Sequence, residues 1–184
     1  DLDHFMPRSI YPEYSVLSNN LIYTCETCNQ DFKKSKFLDS KKNRIFLNPY
    51  YDLGLTKKYQ ILDCEIQVNG TILGIKFHVS KSLFDENEYL YNIATNHLKE
   101  LNLVNRYNKL VRHDLLEKFL NKFKNQEIKN KRVIQTLCNN ECQSYIQDKI
   151  TELGDIYINN FELVFWTKLY FCTEWFENIS EKEL

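Results

Sequence analysis

A chain of 184 residues with 43% hydrophobic and 27% charged residues suits one compact domain with a small appended module, burying roughly 70% of its unfolded surface. Its 24 basic residues against 25 acidic ones leave a net charge of −1, which excludes attraction to nucleic acid by global charge and leaves that task to local basic patches. No run of about 18 uncharged apolar residues is present, and residues 1–20 lack the basic-then-apolar layout of a signal peptide, so neither membrane insertion nor secretion is expected and the expected compartment is the cytoplasm.

In chain order, residues 1–10 read as extended, 11–20 as a loop, and LIYT from residue 21 as a short strand of β-branched and aromatic residues. From about Cys28 to Lys36 the sequence becomes helix-compatible, giving strand, loop, strand, short helix. The aromatic segment RIFLNPYYDLG, punctuated by Pro49 and Gly54, marks the boundary of a first module at residue 52. YQILDCEIQV and TILGIKFHVS then alternate around Asn69-Gly70, the strongest short hairpin signal in the chain. Three segments follow, 86–103, 105–128 and 131–154, with apolar residues at three- and four-residue intervals. Gly154 closes the last of them as a helix C-terminal glycine would. Residues 159–178 are apolar on most sides and read as a helix packed into the core, although their aromatic and β-branched content also suits a strand. No internal repeat is present.

Six cysteines in a reducing compartment speak against a disulfide framework. Cys64 and Cys172 sit in apolar surroundings as small buried hydrophobes, and Cys138 and Cys142 share a helix face, where a core role outweighs a metal. Cys25 and Cys28 have a spacing that serves redox chemistry, zinc or packing. The redox reading is the weakest because no thioredoxin-like βαβ pattern surrounds the pair. His78, His97 and His113 lie in strand-like or amphipathic stretches without a second ligand at an obvious spacing, and structural or exposed roles are expected. Basic residues cluster between Lys33 and Lys58; for most of them a solvated face is sufficient explanation.

The chemistry concentrates at the front. DLDHFMPRS sets Asp3 directly before His4 in an extended segment, so the two side chains leave opposite faces of one strand and can do different jobs. Asn20 follows the loop, and Asn29 follows the thiol pair at once.

The stretch DLDHFMPRSIYPEYSVLSNNLIYTCETCNQDFKKSKF resembles the core of HNH endonucleases of the ββα-metal fold, in the branch marked by Asp-His, Asn-Leu after the loop, Cys-x-x-Cys-Asn and a trailing Lys. The likeness covers residues 1 to about 52. It implies that Asp3 and Asn29 hold a divalent cation, that His4 is the general base, and that Asn20 ties the inter-strand loop and so fixes His4. Carboxylate and amide oxygens suit Mg2+ or Mn2+, and an imidazole outside the metal shell can take a proton from water near neutral pH. Cys25 and Cys28 would form half of a structural Zn2+ knuckle, the other pair preceding Asp1, or else the thiols serve as packing. Asn48 stands where many relatives carry a His and is a secondary candidate; capping the turn before Pro49 is its simpler role. Arg8, Lys33, Lys34 and Lys36 flank the expected metal and would contact phosphates without reading sequence.

The fold expected is therefore α+β: an N-terminal ββα-metal HNH module at 1–52, then a β-hairpin and a mostly helical C-terminal region at 53–184 that docks a partner or grips substrate. The expected function is metal-dependent hydrolysis of nucleic acid, DNA being favoured over RNA. The resemblance extends to HNH nucleases of Septu-type bacterial defence systems, which work beside an ATPase partner. The alternative is a non-catalytic zinc-containing module of the same fold that binds nucleic acid or a partner protein.

Overall fold

The computed structural model describes residues 1–69, 72–123, 131–153, 159–172 and 174–175. Gly70 and Gly154, on which the turn and the helix end were placed, lie outside the described residues.

The N-terminal segment forms strand β1 (Leu2–His4), two short 3-10 turns (Pro12–Tyr14 and Ser18–Asn20), and strand β2 (Leu21–Tyr23). The strands pair antiparallel with Leu2 opposite Tyr23, Asp3 opposite Ile22 and His4 opposite Leu21. Period-2 alternation sends Asp3 and Ile22 to the buried side, while Leu2 and Tyr23 face solvent. A helical segment, Thr27–Lys33, follows with π winding. Helix α1 (Leu53–Lys58) comes next, then strands β3 (Leu62–Asn69) and β4 (Ile72–Val79), which form a second two-stranded sheet. Two residues of connection permit only antiparallel pairing there.

Helices α2 (Ser82–Glu86), α3 (Glu88–Glu100) and α4 (Leu103–Leu110) succeed one another. The run begun by α4 continues through a π-wound stretch, Val111–Leu116, into α5 (Glu117–Asn121). Helices α6 (Lys131–Leu153) and α7 (Phe161–Tyr170) complete the described elements. The ambiguity over 159–178 resolves to helix across α7 because Asn160 caps it, its Oδ1 accepting from the N–H groups of Glu162 and Leu163 at 3.0 and 3.1 Å. Leu163, Val164, Phe165, Trp166 and Leu169 are all buried, as a helix apolar on most sides requires. Among the described residues the protein is thus a mixed α+β fold of two small sheets and seven α-helices, with a mostly helical C-terminal region.

The chain divides into two compact units that interleave in sequence: residues 1–61 with 79–103, and 62–78 with 104–184. A single boundary at residue 52 misses this interleaving, because α3 belongs with the N-terminal segment. Phe46 packs edge-on against His97, Leu47 N–H donates to His97 Nδ1 at 3.2 Å, and Lys36 pairs with Glu100 at 2.7 Å. Phe5, Ile22, Ile45 and Phe46 share the first unit with Leu83, Leu90, Ile93 and Ala94, all of them buried. In the second unit Tyr145 stacks on Trp166, Phe119 tilts against Trp166 and Trp175, and Phe77 meets Tyr107 and Phe161. Cys64, Cys138 and Cys142 are core residues of this unit. Burial pushes the Cys64 and Cys138 thiols up to about 12 and the Cys142 thiol higher, with nearby acidic side chains acting the same way.

Candidate functional site around Asp3, His4 and Lys33

The loop between β1 and β2 is organised by one side chain. Asn20 is buried; its Oδ1 accepts from Met6 N–H at 2.7 Å, while its Nδ2 donates to Met6 O at 3.2 Å and to Tyr14 O at 3.1 Å. The Phe5 N–H, donating to Asn20 O at 2.7 Å, extends the ladder one residue past His4. Both ends of the loop are therefore clamped beside the strand that carries His4.

His4 Nε2 lies 3.2 Å from the carbonyl oxygen of Ser15, the residue after Tyr14. A carbonyl can only accept, so this contact places the ring proton on Nε2 and leaves Nδ1 of the neutral imidazole as the basic nitrogen. The ring is half-buried. Ser15 escaped the sequence reading because its contribution is a backbone oxygen, which leaves no side-chain signal. A cavity of about 240 Å³ lies under the same loop, lined by Phe5, Met6, Tyr14, Asn20 and Arg44 among others.

On the opposite face of β1, Asp3 is 8% exposed and its Oδ2 lies 2.7 Å from the Lys33 ammonium. That contact is an ion pair off the hydrogen-bonding directions, leaving Oδ2 without a directed hydrogen bond. Lys33 itself is 4% exposed and donates to His4 O at 2.8 Å. The Lys33 ammonium, expected at a phosphate, is here enclosed and held to β1. Lys34 and Arg8 are exposed, and Lys36 is exposed with its ammonium paired to Glu100.

Asn29 stands four residues before Lys33 in the π-wound segment. With five-residue hydrogen-bond spacing and somewhat over four residues per turn, positions four apart share a face. The face that touches Asp3 through Lys33 is thus also the face of Asn29. A strand carboxylate and a helix amide are oxygen donors of the kind a magnesium-type ion takes, one or two from protein with water and phosphate in its remaining positions; here Asp3 Oδ2 holds the Lys33 ammonium.

The thiol pair begins the same segment. Cys28 N–H, in the first turn of the segment, donates to Cys25 Sγ at 3.2 Å; Cys25 is exposed and Cys28 half-buried. Structural zinc takes four ligands, and among the described residues no group of three or more His, Cys, Asp and Glu side chains is arranged to hold a metal. Among the described residues Cys25 and Cys28 therefore have no third such ligand beside them.

Asn48 is fully buried, with its Oδ1 accepting from Tyr50 and Tyr51 N–H at 2.8 and 3.0 Å. It caps the turn at Pro49. The turn is tied down further by Asp52, which accepts from Asn48 N–H at 2.6 Å and from Arg44 Nη2 at 2.8 Å. His97, closed in by the surrounding protein, is pushed down to about 4 by desolvation, with the Asp52 charge pulling weakly the other way. It is a neutral structural acceptor. His113 is exposed, and His78 Nε2 lies 3.8 Å from Glu65 Oε1.

Fold and geometry together define a mixed α+β protein in which a two-stranded sheet, a clamped loop and a short helical segment carry an imidazole on one face of β1 and a carboxylate paired with a buried ammonium on the other. Over 107 residues the chain is 33% identical to Protein ea31 of Escherichia phage lambda, a stretch covering 58% of this chain and 35% of that protein. The chain therefore spans about a third of the length of this curated relative. No family model matches the chain, and no solved structure matches it. No helix among the described residues is long and apolar enough to cross a membrane.

Proposed function

We propose that the chain is a metal-dependent endonuclease of the HNH type, hydrolysing phosphodiester bonds of nucleic acid, DNA in preference to RNA. What carries the reading is the tautomer imposed on His4: Ser15 O fixes the proton on Nε2, and Asn20 holds the loop that presents Ser15. Activation of water requires a base nitrogen able to accept a proton, and this tautomer leaves Nδ1 for that task. Asp3 and Asn29 would hold Mg2+ or Mn2+, and a bound ion would supply charge stabilisation at the phosphate and leaving oxygen. In this reading His4 takes the proton from water, Asn20 positions the loop, and Arg8, Lys34 and Lys36 steer the phosphate backbone. Zn2+ at Cys25 and Cys28 would be structural and would need two further ligands. The resemblance to Septu-type systems makes bacterial anti-phage defence in the cytoplasm, beside an ATPase partner, the proposed setting.

The Lys33–Asp3 ion pair favours one second reading. If the ammonium never leaves the carboxylate, the same fold is a non-catalytic module that binds nucleic acid without cutting it. Incubation with single-stranded DNA, duplex DNA and RNA in Mg2+ or Mn2+ separates the two. Metal-dependent cleavage lost in His4→Ala is the expected result. Equal cleavage by that variant, at equal purity, refutes the nuclease.

A further inference from the structure

Lysine is rarely buried, because its ammonium is strongly hydrated and must be compensated in full. At Lys33 three costs converge. The ammonium is enclosed, the segment carrying it winds with π geometry, and the chain leaves that segment through Lys34 at φ 49°, ψ −125°, a conformation that side chains other than glycine's resist. All three serve one placement: Nζ lies 2.7 Å from Asp3 Oδ2 and 2.8 Å from His4 O. An ammonium there is a cation seated on the oxygen that the endonuclease reading gives to the metal.

We propose that Lys33 is a displaceable resident cation at Asp3, a built-in competitor that keeps divalent-metal affinity low until nucleic acid arrives. The inference rests on Asp3 being a metal ligand. An oxygen that binds a magnesium-type ion at roughly 2.1 Å cannot keep an ammonium at 2.7 Å without setting like charges a few ångströms apart, where repulsion is strong in a buried site. Lys33 must yield the carboxylate or weaken the ion's hold, and either way affinity falls. The flexible four-carbon stem and three donors of lysine let Nζ release Asp3 while keeping its bond to His4 O, so β1 stays tethered. Charge counting supplies the coupling. Asp3 and Lys33 together are neutral, a divalent ion leaves two positive charges in excess, and a phosphodiester offsets one of them while adding oxygen ligands. Metal loading therefore follows substrate.

The test is Mn2+ binding by calorimetry on the full chain, without any activity readout. Lys33→Gln, which keeps a donor and removes the charge, is expected to tighten Mn2+ about tenfold or more. Lys33→Arg, which keeps the charge, is expected to stay within roughly threefold of the parent, and Asp3→Asn to abolish binding. Unchanged or weaker binding by a folded Lys33→Gln, with Asp3→Asn still inactive in binding, overturns the competitor role while leaving Asp3 a ligand. Absence of Mn2+ binding in the parent and in every Lys33 variant brings down the metal reading and this inference together. Should Lys33→Gln fail to fold, NMR of the parent decides: the slowly exchanging ammonium resonance of Lys33 is expected to shift or vanish on adding Mg2+ with an oligonucleotide, and an unmoved resonance under saturation refutes displacement.

Discussion

Replacing Asn20 by Ala removes, in one step, the side-chain clamp on the β1–β2 loop, while the backbone bond from Phe5 N–H to the residue-20 carbonyl survives. Three hydrogen bonds disappear, and the Met6 N–H loses its 2.7 Å acceptor in a part-buried site. With net contributions near 1 kcal/mol per bond and a further penalty for the stranded donor, the loss is roughly 3 to 4 kcal/mol. For a chain of this size that corresponds to a fall in melting temperature on the order of 10 °C. Both tryptophans, Trp166 and Trp175, belong to the second unit, so their emission reports that unit separately. Amide exchange at Phe5 and Met6 is the direct readout for the first. Exchange at these positions is expected to accelerate by two orders of magnitude or more, following from the same energy. Asn20→Asp is a sharper control: it keeps an acceptor for Met6 N–H but turns an oxygen toward Met6 O and Tyr14 O, so it should also destabilise. Because Tyr14 and Ser15 are adjacent, loosening one displaces the carbonyl that orients His4, and cleavage, where present, should fall at least tenfold. Unaltered exchange at Met6 in Asn20→Ala would refute the reasoning at its root.

Other expectations follow from separate features. Lys34→Gly should stabilise the protein by about 1 kcal/mol in urea unfolding, because relief of the positive-φ strain exceeds the added chain entropy; a lowered midpoint would show that the lysine side chain outweighs the strain. His97 stays neutral in the fold down to about 4, whereas an unfolded imidazole takes its proton near 6.5. Its contribution is therefore fully present above pH 6.5 and is lost as pH falls toward 4, by roughly 3 kcal/mol in all. His97→Asn, which keeps an acceptor near Leu47 N–H, should flatten that pH dependence of unfolding. Cys25 and Cys28 should react with a thiol reagent rapidly in native protein, while Cys64, Cys138 and Cys142 react only on unfolding; early modification of the buried three would contradict their place in the core.

Much of the fold was legible because its signals are local. Alternation around Asn69-Gly70 gave β3 and β4, three- and four-residue spacing gave α3, α4 and α6 but not the short α1 and α2, and the punctuation at 19–20 gave the start of β2. The helix over 161–170 was ambiguous from composition and is decided by Asn160, a cap that the sequence displays but that aromatic content obscured. The interleaving of the units was not legible, since the contacts of Phe46 and Leu47 with His97 join positions about fifty residues apart and no periodicity encodes them. At the candidate site, the residues near β1 were readable by type and order, yet the direction of Lys33 was not. In a run of basic residues nothing marks which one turns inward; that depends on the winding of Thr27–Lys33, which sequence pattern does not reveal.

The interleaved units bear on how the protein is made. Residues emerge from the ribosome in order, but the buried ring of Phe46 waits for His97, and Leu90 and Ile93 complete a core begun by Phe5 and Ile22. On the order of several seconds of translation separate the first half of that core from the second. The first unit therefore stays incomplete during synthesis until residue 103 has emerged, and a fragment ending at residue 52 would expose apolar surface to aggregation.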